Sequence, residues 1–445
     1  MRFTLVSLGC PKNQVDSDMI AHRLLSEGHE STSDMTQADV CVINTCGFID
    51  SAKEEAIENI FNAARAREEN PDLKIVVTGC LAERYKDEIL DSMPEVDAVV
   101  GIGAHDRLIE AMESAVRGER LSCYGPKKNL ALDGKRVIST PRHYAYLKIA
   151  EGCSNGCYYC AIPMIRGPHR SRPMESCLEE ARWLAEEGVK ELIVVAQDIT
   201  RYGEDLYREN RLARLVKELC RIEGIQWIRL MYAYPERLGD DVIEVMATEP
   251  KVLHYLDLPI QHINERVLDS MNRRAGKDVI LSAISRLRKA IPDMVIRTSL
   301  IAGYPGEAEE EFEELLAWVK DVKLERVGCF AYSAEEGTVA ARLPDQIPEE
   351  EKERRRAAVM ARQRDIMAEK QAAMVGRTLE VICDDYDEDN DLFVCRTRYD
   401  APEIDGEVYL PGDSDIRIGD IKKARILESD VYDLYGELEY REEDL

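Results

Sequence analysis

A chain that swings between short apolar runs and helix-like stretches about every 30 residues has few folds open to it, because that is the pitch of a strand–helix unit returning to one sheet. The first 120 residues follow it: RFTLVSLG (2–9), a helical pattern over 14–27, VCVINT (40–45), a helical pattern over 51–69, and KIVVTG (74–79). Such alternation predicts βαβ units on a parallel sheet. Cys10, Cys46 and Cys80 each come directly after one of these strands, about one repeat apart. The three thiols should therefore meet at the carboxyl edge of the sheet, where open α/β folds hold their ligands.

Residues 119–142 carry Gly, Pro and mixed charge with no sustained period, which marks a boundary. Strand-like runs then recur at 144–150, 191–197, 225–234, 254–261, 294–303 and 326–333. Helical patterns lie between them near 174–188, 209–222, 239–248, 264–290 and 308–321, and one over 349–374 closes the series. Six βα units predict a partial, open (βα)6 barrel with its chemistry on the carboxyl-end loops. From about 375 the pattern shortens to alternating runs broken by Asp, Asn and Gly, as in a small antiparallel β-barrel. The expected fold is α/β with three domains, 1–120, 139–370 and 371–440.

Charge narrows the partners. The formal net charge is −27, of which residues 377–445 contribute −14. Such a surface repels phosphate backbones and favours a basic partner or a small molecule over nucleic acid. No run approaches the ~18 apolar residues of a membrane span, and the opening MRFTLVSLGCPKN turns polar too soon for a secretory signal. A soluble, cytoplasmic chain with no membrane partner is expected. In a reducing compartment its 13 cysteines point to metal binding or catalysis rather than to disulfides.

The strongest motif is EGCSNGCYYCAIP, where Cys153, Cys157 and Cys160 form C-x3-C-x2-C directly after a strand. Three thiolates are one short of the four that saturate a cubane iron–sulfur cluster, so one iron stays open. Cys10, Cys46 and Cys80 leave a second open iron by the same counting. Zinc is the competing occupant, but structural zinc sites take four ligands, usually as paired C-x2-C knuckles, and His169 is badly placed as a fourth.

A C-x3-C-x2-C motif at the start of a βα barrel, with aromatic Tyr159 before its last cysteine, resembles the radical S-adenosylmethionine enzymes. With SLGCPKNQVDSD, INTCGFIDSAKEE and VTGC, the whole chain resembles the methylthiotransferases among them: a methylthiotransferase N-terminal domain, a radical core and a TRAM barrel. The resemblance implies two 4Fe-4S clusters, an auxiliary one on Cys10, Cys46 and Cys80 and a radical one on Cys153, Cys157 and Cys160. It also implies two molecules of S-adenosylmethionine, one giving its methyl group to a sulfur and the other yielding a 5′-deoxyadenosyl radical. SLGCPKN, NTCGFI, CAIPMIRGPHRSRP and YSAEEGT are similar to the branch that methylthiolates the β-carbon of an aspartate in ribosomal protein S twelve. Methylthiolation of an adenosine in transfer RNA is the alternative. Implied partners are protein S twelve, free or within the ribosome, an electron donor and a sulfur donor, with nucleic acid not a direct substrate.

Among the polar residues that end barrel strands, namely Gln197, Asp198, Glu236, Gln261, His262 and Arg297, position makes Gln197, Glu236 and Arg297 candidates to contact S-adenosylmethionine, together with Tyr159. The basic loop Arg166, His169, Arg170 and Arg172 is suited either to a carboxylate of cofactor or substrate or to ion pairs with acidic neighbours. GYPGE (303–307) reads as a tight loop, and ERRRAAVMARQR as a solvated helix face. Cys41 and Cys329 read as small buried hydrophobes; Cys123, Cys177, Cys220, Cys383 and Cys395 carry no assigned role.

Overall fold

VCVINT and KIVVTG become the strands Val40–Thr45 and Lys74–Gly79, apolar on both faces because helices cover both sides of a parallel sheet. The computed structural model describes residues 1–439, so the expected domain limit at 440 lies outside the described residues. The first sheet runs, from edge to edge, Glu30–Ser31, Arg2–Ser7, Val40–Thr45, Lys74–Gly79, Ala98–Val100 and Leu121–Cys123, all parallel. Three of these strands span only two or three residues, too short to leave a period in the sequence. Separate apolar clusters fill its two faces.

The second sheet takes its strands in chain order: Tyr144–Lys148, Glu191–Val195, Trp227–Leu230, Val252–Asp257, Val295–Ala302 and Arg326–Ala331. All are parallel and the end strands do not pair, so the barrel is open. Ala145, Leu147, Leu192 and Val194 face the surrounding helices. On the opposite face Tyr144, Tyr146, Ile193 and Val195 pack against Val15 and Met19 of helix Pro11–Ser26, which the first domain lends to the second.

The helical pattern over 264–290 is two helices, Glu265–Ser270 and Lys277–Ala290. Asn272 adopts φ +56°, a left-handed stop, and the Glu265 carboxylate accepts the Lys277 amide at 2.7 Å to start the next helix. The break turns Arg273 into the core, a position that an unbroken amphipathic pattern hides.

Thr378–Asp387, Leu392–Thr397, Val408–Pro411, Leu434–Leu438 and Ile421–Ser429 close into a five-stranded barrel. It docks at the amino end of the second sheet: Arg396 pairs with Glu191 at 2.5 Å, and the Tyr144 hydroxyl donates to Glu403 at 2.9 Å. Trp227 Nε1 donates to Glu380 at 3.3 Å. The carboxyl end is thereby left to the first domain. Among the described residues no helix is long and apolar enough to cross a membrane.

Candidate active site: two adjoining cysteine triads

Cys10 caps the amino end of helix Pro11–Ser26, Cys46 follows strand Val40–Thr45, and Cys80 opens helix Cys80–Tyr85 after strand Lys74–Gly79. Their loops are stacked with no room for extra side chains. A Cβ on Gly9, whose φ is +88°, would stand 2.6 Å from Cys46 Cβ, and one on Gly79, φ +93°, would stand 2.4 Å from Asn44 Oδ1. Buried Asn13 ties the loops together, its Nδ2 donating to Leu8 O at 2.7 Å and Asn44 O at 3.2 Å.

The three thiols sense one another. Burial pushes Cys46 up to about 12, with Cys80 and Cys10 adding to the effect. Burial also raises Cys80, whereas at Cys10 burial is overcome by the Lys12 ammonium and the Arg166 guanidinium, which hold that thiol below its ordinary value.

The second triad lies on the loop after the short strand Ala150–Glu151. Cys153 N donates to Gly167 O at 3.0 Å, Cys160 N to Cys157 O at 3.1 Å and Tyr158 N to Met271 O at 3.0 Å, so the backbone fixes the loop from both sides. Arg273 Nη1 approaches Cys157 Sγ at 3.9 Å. Burial raises Cys153 to about 11 and Cys160 higher still.

Buried thiols of this kind ionise only when a cation compensates them, and bound iron deprotonates a thiol outright. Among the described residues no three Cys, His, Asp or Glu side chains converge on a single ion. Three soft thiol donors on each side are the ligand set that iron–sulfur clusters take. The residues present fit four-iron clusters.

The triads adjoin. Cys80 shares one apolar cluster with Ala161 and Ile165, the first of which follows Cys160 directly. Arg166 spans the seam: its Nε donates to Cys80 Sγ at 3.4 Å, its Nη1 to Asp16 at 2.7 Å and Glu151 at 2.9 Å, and its Nη2 to Asn13 at 3.0 Å. Lys148 pairs with the same two carboxylates. Against the push of burial, Arg166 and Lys148 hold Glu151 well below the usual carboxylate range. On the far side Glu335, from YSAEEGT, takes Arg84 at 2.5 Å and Lys53 at 3.2 Å.

Of the basic loop, Arg166 and Arg172 are ion-paired with acidic neighbours, Arg172 with Glu180 at 2.6 Å. Arg170 donates to the Lys128 carbonyl at 2.7 Å, and buried His169 lies beside Ser171. In helix Glu349–Ala372 the ERRR run is only partly solvated, because Arg355 is buried against Glu307 of the GYPGE loop at 3.0 Å.

At the barrel's carboxyl end, Asn155 Oδ1, Gln197 Oε1, Glu236 Oε2, His262 Nε2 and Arg273 Nε are buried with no hydrogen-bond partner among the described residues. Orphaned polar atoms at that density fit a polar ligand. Gln197 Nε2 donates to Glu151 at 2.7 Å. Arg297 is paired with Asp257 at 2.8 Å, and Tyr159 packs against a cluster of Val267, Met271, Tyr304 and Tyr332. Asn155 and Arg273 carried no sequence signal of their own, and Lys12 was legible only as part of SLGCPKN.

Three family models match the chain: Uncharacterized protein family UPF0004 over residues 2–101, the Radical SAM superfamily over 147–319 and the TRAM domain over 375–438. The chain is 46% identical to the ribosomal protein uS12 methylthiotransferase RimO of Desulfitobacterium hafniense, over 98% of each chain. It is 44% identical to the RimO of Acetivibrio thermocellus, over 98% of this chain and 97% of the other. Among solved structures, the radical S-adenosylmethionine methyltransferase TsrM of Kitasatospora setae superposes with a TM-score of 0.55 at 12% identity, over 74% of this chain and 72% of that one, a likeness of fold.

Proposed function

The chain belongs to the RimO family, radical S-adenosylmethionine methylthiotransferases of ribosomal protein uS12, and on that premise we propose that it adds a methylthio group to the β-carbon of an aspartate of that protein. The observation that carries the reading is the seam at Arg166. One guanidinium touches a thiol of the first triad while standing six residues past the last cysteine of the second. A carbon radical must meet its sulfur before it meets solvent, so the two centres have to serve one cavity.

Cys10, Cys46 and Cys80 hold the auxiliary 4Fe-4S cluster in this reading, and Cys153, Cys157 and Cys160 the radical one. Bound there, the clusters and S-adenosylmethionine supply the one-electron chemistry, the sulfur and the methyl group that no side chain offers. The protein's own part is placement. Asn155, Gln197, Glu236 and Arg273 present unmet hydrogen-bonding groups to the cofactor, while Asp16, Glu151, Lys148 and Arg166 lock the first domain onto the barrel and keep water from the seam. The acidic TRAM barrel suits a basic ribosomal protein, met free or within the ribosome. An electron donor and a sulfur donor complete the turnover. The transfer RNA alternative is not favoured, since the relatives carry the uS12 name and the chain's net charge is −27.

The test is the mass of the product. Anaerobically reconstituted enzyme with S-adenosylmethionine and a reductant should give uS12 bearing methylthio-aspartate. Methylthio-adenosine in transfer RNA with unmodified uS12 would reverse the assignment.

A further inference from the structure

Among the described residues, two buried cations beside the triads, Lys12 and Arg273, have no carboxylate within ion-pairing distance, whereas the others have one. Arg166 and Lys148 share Asp16 and Glu151, Arg84 has Glu335, and Arg136 has Asp18 and Glu180. Lys12 is only 6% exposed and, among the described residues, no carboxylate lies within ion-pairing distance of it. Its ammonium rests 3.4 Å from the centre of the Tyr232 ring.

That ring is placed at a cost. Tyr232 adopts φ +68°, a left-handed conformation disfavoured for an aromatic residue. It is held there by its amide donating to Asp257 Oδ2 at 3.2 Å and its carbonyl accepting from Ile199 N at 3.1 Å. Asp257 is itself neutralised by Arg297 at 2.8 Å. The backbone is thus bent to set an aromatic shelf, two residues past the carboxyl end of strand Trp227–Leu230, beneath an ammonium two residues past Cys10.

A desolvated ammonium on a π-face, with no carboxylate within ion-pairing distance, gains when a ligand brings an anion. Taking the methylthiotransferase reading as its base, we propose that Lys12 binds the side-chain carboxylate of the target aspartate and is the residue that selects aspartate. The carboxylate carbon is bonded directly to the β-carbon. Gripping it beside Cys10 sets the reacting carbon near the sulfur-bearing centre and between the two triads. The carboxylate of S-adenosylmethionine belongs to the other triad in that reading, so Lys12 is left for the substrate. Arg273, the other buried cation with no carboxylate among the described residues, already touches Cys157 Sγ.

The full chain, with both clusters reconstituted anaerobically, is titrated with two synthetic peptides spanning the uS12 target loop, one carrying aspartate at the modified position and the other asparagine. Wild type should prefer the aspartate peptide by about tenfold or more, the size of a charge-assisted hydrogen bond. Lys12→Met should abolish the preference by weakening the aspartate peptide alone, and Lys12→Arg should restore it. An unchanged iron content and cluster absorption verify that each variant folds and loads. A preference that survives Lys12→Met, or equal weakening of both peptides, overturns the role of Lys12 and leaves the methylthiotransferase reading standing. Absence of a methylthio product from the aspartate peptide with wild type removes that reading and this inference with it.

Discussion

At the scale of single residues, the chemistry is set as much by missing atoms as by thiols. Gly9 gives the first triad its room: an added methyl would collide with Cys46 at 2.6 Å in a backbone conformation that L side chains resist. Gly9→Ala should therefore cut the iron of reconstituted protein from about eight to about four per chain, one four-iron cluster surviving. Iron analysis and the electron paramagnetic resonance of the reduced protein read this directly. His262 offers a pH test. Burial lowers it to about 4, and its Nδ1 accepts from Asn264 N at 3.0 Å, so the folded state keeps it neutral. The unfolded chain binds its proton near 6.5, so this stabilisation is complete above that value and is lost as pH falls toward 4. Thermal midpoints of the apo-protein should fall across that window, and less steeply in His262→Gln. The second triad was legible from sequence because C-x3-C-x2-C spacing is local, and the first because one strand–helix repeat separates its cysteines. The partners of Arg166 were not, because Asp16 and Asn13 lie about 150 positions away in the chain.

At the scale of elements, helix Pro11–Ser26 belongs to one sheet and completes another. Its Asn13, Asp16 and Asp18 are buried against residues of the second domain and its linker. Arg136 is the outer pin, donating to Asp18 at 2.7 Å, Glu180 at 2.7 Å and the Tyr146 carbonyl at 2.7 Å. Removing it leaves Asp18 buried with no cation and only the Ser139 hydroxyl at 2.5 Å, while Glu180 keeps Arg172. Arg136→Met should lower stability by about 3–5 kcal/mol and depress the thermal midpoint, while the iron content stays at wild type because Arg136 contacts neither triad. Loss of iron at unchanged stability would show that the pin acts on the clusters instead. The strands of this region were readable from alternation alone, since β-branched runs bounded by glycine have few other uses. The doubled role of the helix was not, because a polar face turned toward a second domain looks like a solvated one until the partner charges are in place. The same blindness hid the break at Asn272 and the burial of Arg355.

At the scale of the whole molecule, the TRAM barrel occupies the amino end of the radical sheet and the first domain its carboxyl end, so the reaction space is set by how firmly the two cysteine-bearing edges are held together. The Arg166 network grips one side and the Glu335 clasp the other. Composition and charge could suggest a protein partner, and the triads two centres, but their mutual placement depends on pairs such as Lys53 with Glu335, 282 positions apart. Glu335→Gln tests what the clasp is for. The variant keeps the size of the side chain and removes the charge that Arg84 and Lys53 share, so the first domain can shift against the barrel while all six cysteines remain. Iron should stay at about eight per chain, as two four-iron clusters. S-adenosylmethionine should still be cleaved, because that needs only the second triad, but transfer needs both edges in register. The ratio of 5′-deoxyadenosine formed to methylthio-aspartate formed should rise, and quantitative mass spectrometry of a single incubation measures both. A variant that loses stability with an unchanged ratio would mean that the clasp holds the fold alone and that the Arg166 side suffices to keep the two centres facing one substrate.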